Sequence, residues 1–371
     1  MIINLIVIAL ILFLGFHFSR KKDKNNESNR KKYIRIICFI LMLQSGLRNV
    51  VVGSDTHTYF LSFQDSRSSS WQDIYIRIVD YYSFGIGKDP GYAAFEKLVS
   101  SIFGEYQLLL IVIAIVFFSA LGNFIYQNTT RLIDAILAFV IYSVLFYSFF
   151  SITGHRQTIA TAAAMFSFEL IKRRKLIPFL LLIVIASTIH KSVLLFIPFY
   201  YIAQISKPKL FFRVVLLIFP IIMVFRNNLS TYLKILGGYE EYGINEAAGT
   251  STFTALFLLI SIVALLRSKT ILQNNIKAQQ YYNAFAIALL FIPLTWVNPS
   301  AMRVVQYFSI FMLLFIPEII YSFQAVSLRV KRDLTFFIII VLIALFLKSN
   351  WNTSPYGFFW EEMRLFKAYY N

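Results

Sequence analysis

The chain has 371 residues, 58% hydrophobic and 14% charged, with a mean hydropathy of +0.68. These values exclude an ordinary soluble globular domain and imply a polytopic membrane protein. The formal net charge is +17, but the basic residues sit in short segments between apolar runs, which signals topology rather than a nucleic-acid surface.

The first apolar run, residues 2–18, has no basic residue before it and Arg20, Lys21, Lys22 and Lys24 just after it. A cleaved leader has the opposite charge order, so the run reads as a permanent span with its N-terminus outside. His17, at its inner end, reads as interfacial. The second run, 33–52, contains the lone Cys38, so the chain can form no internal disulfide. Residues 53–105 form a long outer segment. Its Asp89-Pro90-Gly91 turn predicts an amphipathic helix with Tyr92, Phe95, Leu98, Val99 and Ile102 on one face. Its aromatics, Tyr59, Phe60, Phe63, Trp71, Tyr75, Tyr81 and Tyr82, read either as an interfacial belt or as a platform for sugar rings.

The next runs are 106–126, 132–151, 157–171, 176–189, 192–205 and 210–225. The stretch 176–205 could be one helix. However, Lys172, Arg173, Arg174 and Lys175 precede it and Lys207, Lys209 and Arg213 follow it. Both flanks are then cytoplasmic, and two short spans turn at His190. A second outer segment, 226–251, carries Tyr239, Glu240, Glu241, Tyr242 and Glu246 and reads as an acidic flap. The last runs are 252–266, 281–297, 302–323 and 334–347. The expectation is a single integral membrane domain over 1–371, an all-α polytopic transmembrane helix bundle of about twelve spans. Its long extracytoplasmic loop carries short amphipathic helices, and both termini lie outside. Most of the 35 Lys and Arg then fall on the cytoplasmic side, where Asp23, Glu27, Asp134 and Asp333 are the acids.

The chain has no HExxH, CxxC, P-loop, GxSxG or EF-hand pattern, and its histidines lack metal-ligand spacing. The site is therefore expected to need neither metal nor cofactor. Four basic residues, Arg48, Arg156, Lys191 and Arg303, depart from the inside-positive pattern and lie at outer span ends. The last three begin helices, where the backbone dipole disfavours a cation by ~0.3–1 kcal/mol. A bound anion reverses that sign. Arginine also suits bidentate grip on phosphate oxygens, although a mouth arginine can simply snorkel to lipid headgroups.

Each of these cations belongs to a polar cluster. Arg48 precedes Gly53-Ser54-Asp55-Thr56-His57-Thr58-Tyr59, in which Ser54 or Asp55 can cap a helix and Asp55 and Tyr59 share a face. Asp55 reads equally as a cap or as a catalytic carboxylate. Gly154-His155-Arg156-Gln157 leads into small residues that let a neighbouring helix approach. Ser187-Thr188-Ile189-His190-Lys191-Ser192 lies at the inferred turn. Asn298-Pro299-Ser300-Ala301-Met302-Arg303 carries Ser300 as an expected N-cap.

Arg48, Gly53-Ser54-Asp55-Thr56, Tyr59, Phe63, Asp89-Pro90-Gly91-Tyr92, Arg156-Gln157, Ala160, Ala186-Ser187 and His190-Lys191-Ser192 together resemble the EpsG family of Wzy-type polysaccharide polymerases. The order and spacing match over roughly residues 30 to 205. This chain has Thr153-Gly154-His155 where the family commonly has an Asn-containing approach. The resemblance implies a glycosyltransferase of the bacterial cytoplasmic (inner) membrane with its active site facing outside. It would move a growing glycan from undecaprenyl diphosphate onto an incoming lipid-linked repeat unit. Arg48, Arg156, Lys191 and Arg303 would hold diphosphate, His190 or Asp55 would be the base, and Tyr59, Gln157 and Trp71 would meet glycan. The expected partners are undecaprenyl-diphosphate-linked oligosaccharide, membrane lipid and a chain-length regulator protein, with no nucleic acid. The alternatives are a flippase of the same lipid-linked units or an O-antigen ligase.

Overall fold

In the computed structural model, which describes residues 2–20, 26–53, 55–229, 231, 250–323, 328–350 and 356–361, the chain is built from helices. It divides into two packed units. The first runs to Lys191 and includes residues from Leu334 on, and the second is Ser192–Asp333.

In the first unit, α1 (Ile2–Arg20), α2 (Asn26–Gly46) and α6 (Tyr106–Asn128) follow the first three apolar runs. α6 packs along α2 and α8 (His155–Lys172), because it buries apolar or small residues on several faces: Leu109, Ile113, Phe117, Ala120, Leu121 and Phe124. The helix of the second run stops earlier than expected. Residues after Gly46 leave the helical path, and Asn49 and Phe359 exchange backbone hydrogen bonds with Gly357 and Leu47, at 2.8 and 2.9 Å. Arg48 bridges Phe358 there. Pairing with a distant segment ends this helix, which local hydropathy could not foretell.

The segment 53–105, expected to lie outside, folds as three helices, α3 (Thr56–Ser68), α4 (Trp71–Phe84) and α5 (Pro90–Phe103). Ser70 and Asp73 form a reciprocal capping box that starts α4, and Gly85, at φ 70°, ends it. Gly53 has φ 108°, and a Cβ there would lie 2.5 Å from Ile152 Cγ2, so both conformation and space require glycine. Phe63 of α3 and Val99 of α5 pack with Tyr106, Leu109, Leu110 and Ile113, which fastens the segment to the start of α6.

The helix predicted after Asp89-Pro90-Gly91 is present, but its buried face is rotated. Tyr92, Glu96, Val99 and Ser100 are buried, whereas Leu98 and Ile102 are 50% and 64% exposed. The cause is polar. Ser62 and Ser66 of α3 hydrogen-bond the Glu96 carboxyl and draw that face inward.

The fourth run begins as α7 (Leu132–Leu145), then widens into a π-helical turn, Ser148–Thr153, before α8. Such turns displace carbonyls from the regular ladder. Here the Ile152 carbonyl accepts from Arg48 Nη2 at 3.0 Å, and the Phe150 carbonyl accepts from Thr158 Oγ1 at 3.0 Å. α9 (Leu176–Ile189) ends at the expected turn, with His190 extended and a 3-10 turn, Lys191–Phe196, following.

The second unit contains α10 (Phe199–Ile202), α11 (Pro208–Val224), α12 (Ser251–Leu266), α13 (Ser268–Asn274), α14 (Ala278–Phe291), α15 (Met302–Ser309) and α16 (Met312–Tyr321). α11 and α15 both pack against α14. The run 302–323 is bent by 47° between α15 and α16, and 192–205 is a 3-10 turn followed by one helical turn after Pro198. Ser300 does not cap α15; it lies inside a short 3-10 turn, and its own amide donates to Asn298 Oδ1 at 2.9 Å. α17 (Leu328–Asn350) covers the last run.

Among the described residues, α1 and α6 are each long and apolar enough to cross a membrane, and α12–α13 and α15–α16 qualify if each bent pair is one span. The remaining apolar runs are covered by α2, by α17 or by shorter helices. The residues expected to form the acidic flap, Tyr239 to Glu246, and Ser54 lie outside the described residues.

Candidate functional site

Asp89 joins the polar clusters of the first unit. It precedes Pro90, the first residue of α5, and holds φ 46° and ψ 58°. That left-handed conformation is disfavoured for most side chains but tolerated by Asp and Asn. Gly91 sets the approach. Its Cα lies so close to Thr188 of α9 that no Cβ fits, and this brings the start of α5 against the end of α9.

Three groups from two other elements therefore reach one carboxylate. Arg156 Nη1, on the first turn of α8, is 2.8 Å from Asp89 Oδ2. His190 Nδ1 is 3.3 Å from the same oxygen, and the Lys191 amide donates to Oδ1 at 3.3 Å. Burial pushes the Asp89 carboxyl up, but the hydrogen bond and charge of His190, then Arg156 and the Lys191 amide, outweigh it and hold the group below its ordinary range. With Nδ1–H donated to Asp89, His190 Nε2 becomes the acceptor nitrogen of the ring.

A second polar chain runs behind this group. Arg48 is 2% exposed, and its guanidinium donates to the Ser45 and Ile152 carbonyls and reaches His155 Nε2 at 2.7 Å. Arginine has no acceptor, so His155 Nε2 must accept and Nδ1 must carry the ring proton. Nδ1 is 3.3 Å from the Tyr92 hydroxyl, which accepts it. The Tyr59 ring stacks on His155 with centroids 4.2 Å apart, and Arg156 lies 5.7 Å from the centre of that Tyr59 ring.

The sequence-predicted residues thus divide. Arg156, His190, Lys191 and Tyr59 come together around Asp89 and His155. The Lys191 backbone makes the contact, while its side chain is exposed. Arg48 is committed to the interior of the same region. Gln157 is buried on α8, Trp71 is 51% exposed at the start of α4, and Arg303 stands on the first turn of α15 in the second unit. Asp55 is exposed before α3, and its side chain makes no capping hydrogen bond; the carboxylate facing His190 is Asp89.

In the sequence, Asp89 stands out as a turn residue and as part of the Asp-Pro-Gly-Tyr run shared with the family, not as a site residue, and Glu96 does not stand out at all. The available signals were an Asp immediately before Pro-Gly and an acidic residue one turn after Tyr92 in an otherwise apolar helix. Neither reveals the partners, which lie 67 to 102 residues from Asp89 and 30 and 34 residues from Glu96.

No curated protein and no solved structure matches the chain. The profile of the EpsG family matches residues 31–363, nearly the whole chain and both packed units, and the chain belongs to the EpsG family, the family of Wzy-type polysaccharide polymerases.

Proposed function

We propose that this membrane protein is a repeat-unit polymerase that uses the Asp89, Arg156 and His190 constellation on the outer face. The donor is the growing glycan on undecaprenyl diphosphate, and the acceptor is a hydroxyl on the sugar of an incoming lipid-linked unit. The acceptor oxygen bonds to the donor's anomeric carbon as the bond from that carbon to the diphosphate oxygen breaks. Undecaprenyl diphosphate leaves, and the acceptor proton passes to His190 Nε2. Arg156 stabilises the charge that develops on the leaving diphosphate.

The observation that carries this reading is that Arg156 and His190 share one carboxylate oxygen. When the donor diphosphate engages Arg156, Asp89 is relieved of that cation and its charge bears more fully on His190. A nearby uncompensated carboxylate favours the protonated imidazole. Donor binding therefore makes His190 a stronger base, which couples the two substrates. Arg48 acts indirectly by holding His155 and the π-helical turn. Trp71, Tyr75 and Tyr82, all exposed on α4, offer ring faces to sugar.

The test is the size-resolved surface-glycan profile of a strain lacking the protein, with wild-type, Asp89→Asn or Arg156→Ala copies restored. A wild-type ladder beside single repeat units for both variants is expected. Long chains without the protein would end the proposal, and long chains stranded on the carrier would indicate ligation instead.

A further inference from the structure

Glu96 has no part in that mechanism, yet it is fully buried. Ser62 and Ser66, one turn apart on α3, both hydrogen-bond its Oε2, at 2.8 and 3.0 Å. Among the described residues, Oε1 has no partner in normal hydrogen-bond geometry, and no cation pairs with the carboxyl. A buried carboxylate without a cation is costly, and it lowers the cost by holding a proton. Burial pushes Glu96 up to about 7, against the Ser62, Ser66 and Tyr92 hydroxyls and the charge of Arg156, which pull it down.

Its surroundings tie this carboxyl to the donor site. Tyr92, one turn earlier, accepts from His155, so the phenol's own proton points elsewhere and acts on Glu96. The ring of Tyr92 also lies 6.0 Å from the Arg156 guanidinium. Tyr59 of α3, Tyr106 of α6 and Arg156 of α8 are the other ionisable groups acting on Tyr92 or Glu96. Of the remaining elements packed on α5, α4 carries Arg77, paired with Asp65, and Tyr81, which feels Asp89. The turn after α9 presents His190 and the Lys191 amide to Asp89.

We propose that Glu96 is a positioning residue whose proton keeps the donor site electrically open: neutral, it leaves the field of Arg156 to the diphosphate, and ionised, it sets a second buried negative charge against that anion. The inference rests on the polymerase reading. A unit charge that acts on Arg156 in a partly dry site corresponds to roughly five- to tenfold in affinity.

The experiment uses the full chain in lipid nanodiscs and measures binding of undecaprenyl diphosphate carrying one sugar between pH 6 and 8. In that probe both phosphates are esterified, so neither has the second ionisation near pH 6 of a terminal phosphate. The wild-type Kd should rise several-fold across the range. Glu96→Gln should hold it near the acid-side value throughout. The Ser62→Ala, Ser66→Ala double variant removes donors to the ionised form and should move the midpoint to higher pH. A flat wild-type profile, or an unchanged slope and midpoint in these variants, overturns the role of Glu96 while leaving the polymerase reading intact. If the wild type does not bind the probe at any pH, while binding buffer lipid normally, the polymerase reading falls and this inference with it.

Discussion

At the end of the first unit that the charge pattern assigns to the cytoplasm, Arg131 pairs with Asp134 three residues on, and Lys172 pairs with Glu169 three residues back. Arg30 donates to the Tyr126 carbonyl and the Thr129 hydroxyl at the end of the neighbouring α6. At the opposite end, Asp89 takes Arg156 from α8 and His190 and an amide from the turn after α9. The residue types are similar, but the ion pairs of the first end close within three residues, although Arg30 and Lys172 also reach α6, whereas those of Asp89 span 67 and 101 residues. A cation satisfied within one helical turn needs only its own helix, whereas the groups around Asp89 meet only when α5, α8 and α9 have all packed. The pairs Arg131–Asp134 and Lys172–Glu169 can serve orientation and solubility locally. The contacts of Asp89 depend on the tertiary fold, and in the proposed mechanism the donor diphosphate takes the place of Asp89 at Arg156.

The most severe way to break this contrast is Arg156→Ala. The initial rate of chain growth by the purified full-length protein on lipid-linked repeat units should fall about 100- to 1000-fold. Arg156→Lys should recover only a small part, because a point charge cannot reproduce a planar fork. Wild-type growth by Arg156→Ala would remove this end of the molecule from catalysis.

The next largest effect concerns stability. The folded-state value of Glu96 is raised to about 7, above its unfolded value near 4.3. The neutral carboxyl's contribution is therefore fully present below pH 4.3 and is lost as pH rises through about 7. The loss is on the order of 3 kcal/mol. Thermal unfolding in nanodiscs should show a lower Tm at pH 8 than at pH 5, and Glu96→Gln should flatten that dependence. An equally steep loss in the variant would place its origin in another group.

Gly91→Ala should have a smaller effect. The methyl group meets Thr188 with no space, and overpacking of this kind costs about 1–3 kcal/mol. It also moves Asp89 relative to His190, so chain growth should fall further than the shift in Tm alone explains. Gly91→Ala with normal chain growth would show that the approach of α5 to α9 does not set the site. The smallest effect belongs to the Arg131 end. Arg131→Ala removes a partly exposed i,i+3 pair of a kind worth up to about 1 kcal/mol. The glycan ladder should remain, with at most a slight change in protein level. Loss of the ladder at normal protein level would erase the distinction between the two ends.

Much of the architecture was legible because it is governed by local rules. Continuous hydropathy located α1, α6 and α9, and the basic loops placed the turn at His190. The Asp-Pro-Gly signal located α5. The same rules gave the wrong buried face for α5, because hydropathy ranks Glu96 as outward while Ser62 and Ser66 turn it inward. They carried the second helix too far, because the segment that pairs with residues 47 to 49 lies three hundred residues away. They also could not bend 302–323 into α15 and α16.

The sequence by itself therefore determined that the chain belongs in a membrane, which of its cations depart from the basic-loop pattern, and which of its motifs resemble the family whose profile it matches. It marked Arg156 and His190 because their types and positions are unusual within an apolar chain. Tertiary structure decided that Asp89, rather than the exposed Asp55, meets them, that Arg48 serves His155 from the interior, and that a buried Glu96 stands behind Tyr92. The physical reason is range. Burial preference and helical periodicity act over a few residues and leave a record in local composition. A hydrogen bond between elements depends on the packed positions of both partners, and neither partner's neighbours in sequence encode it.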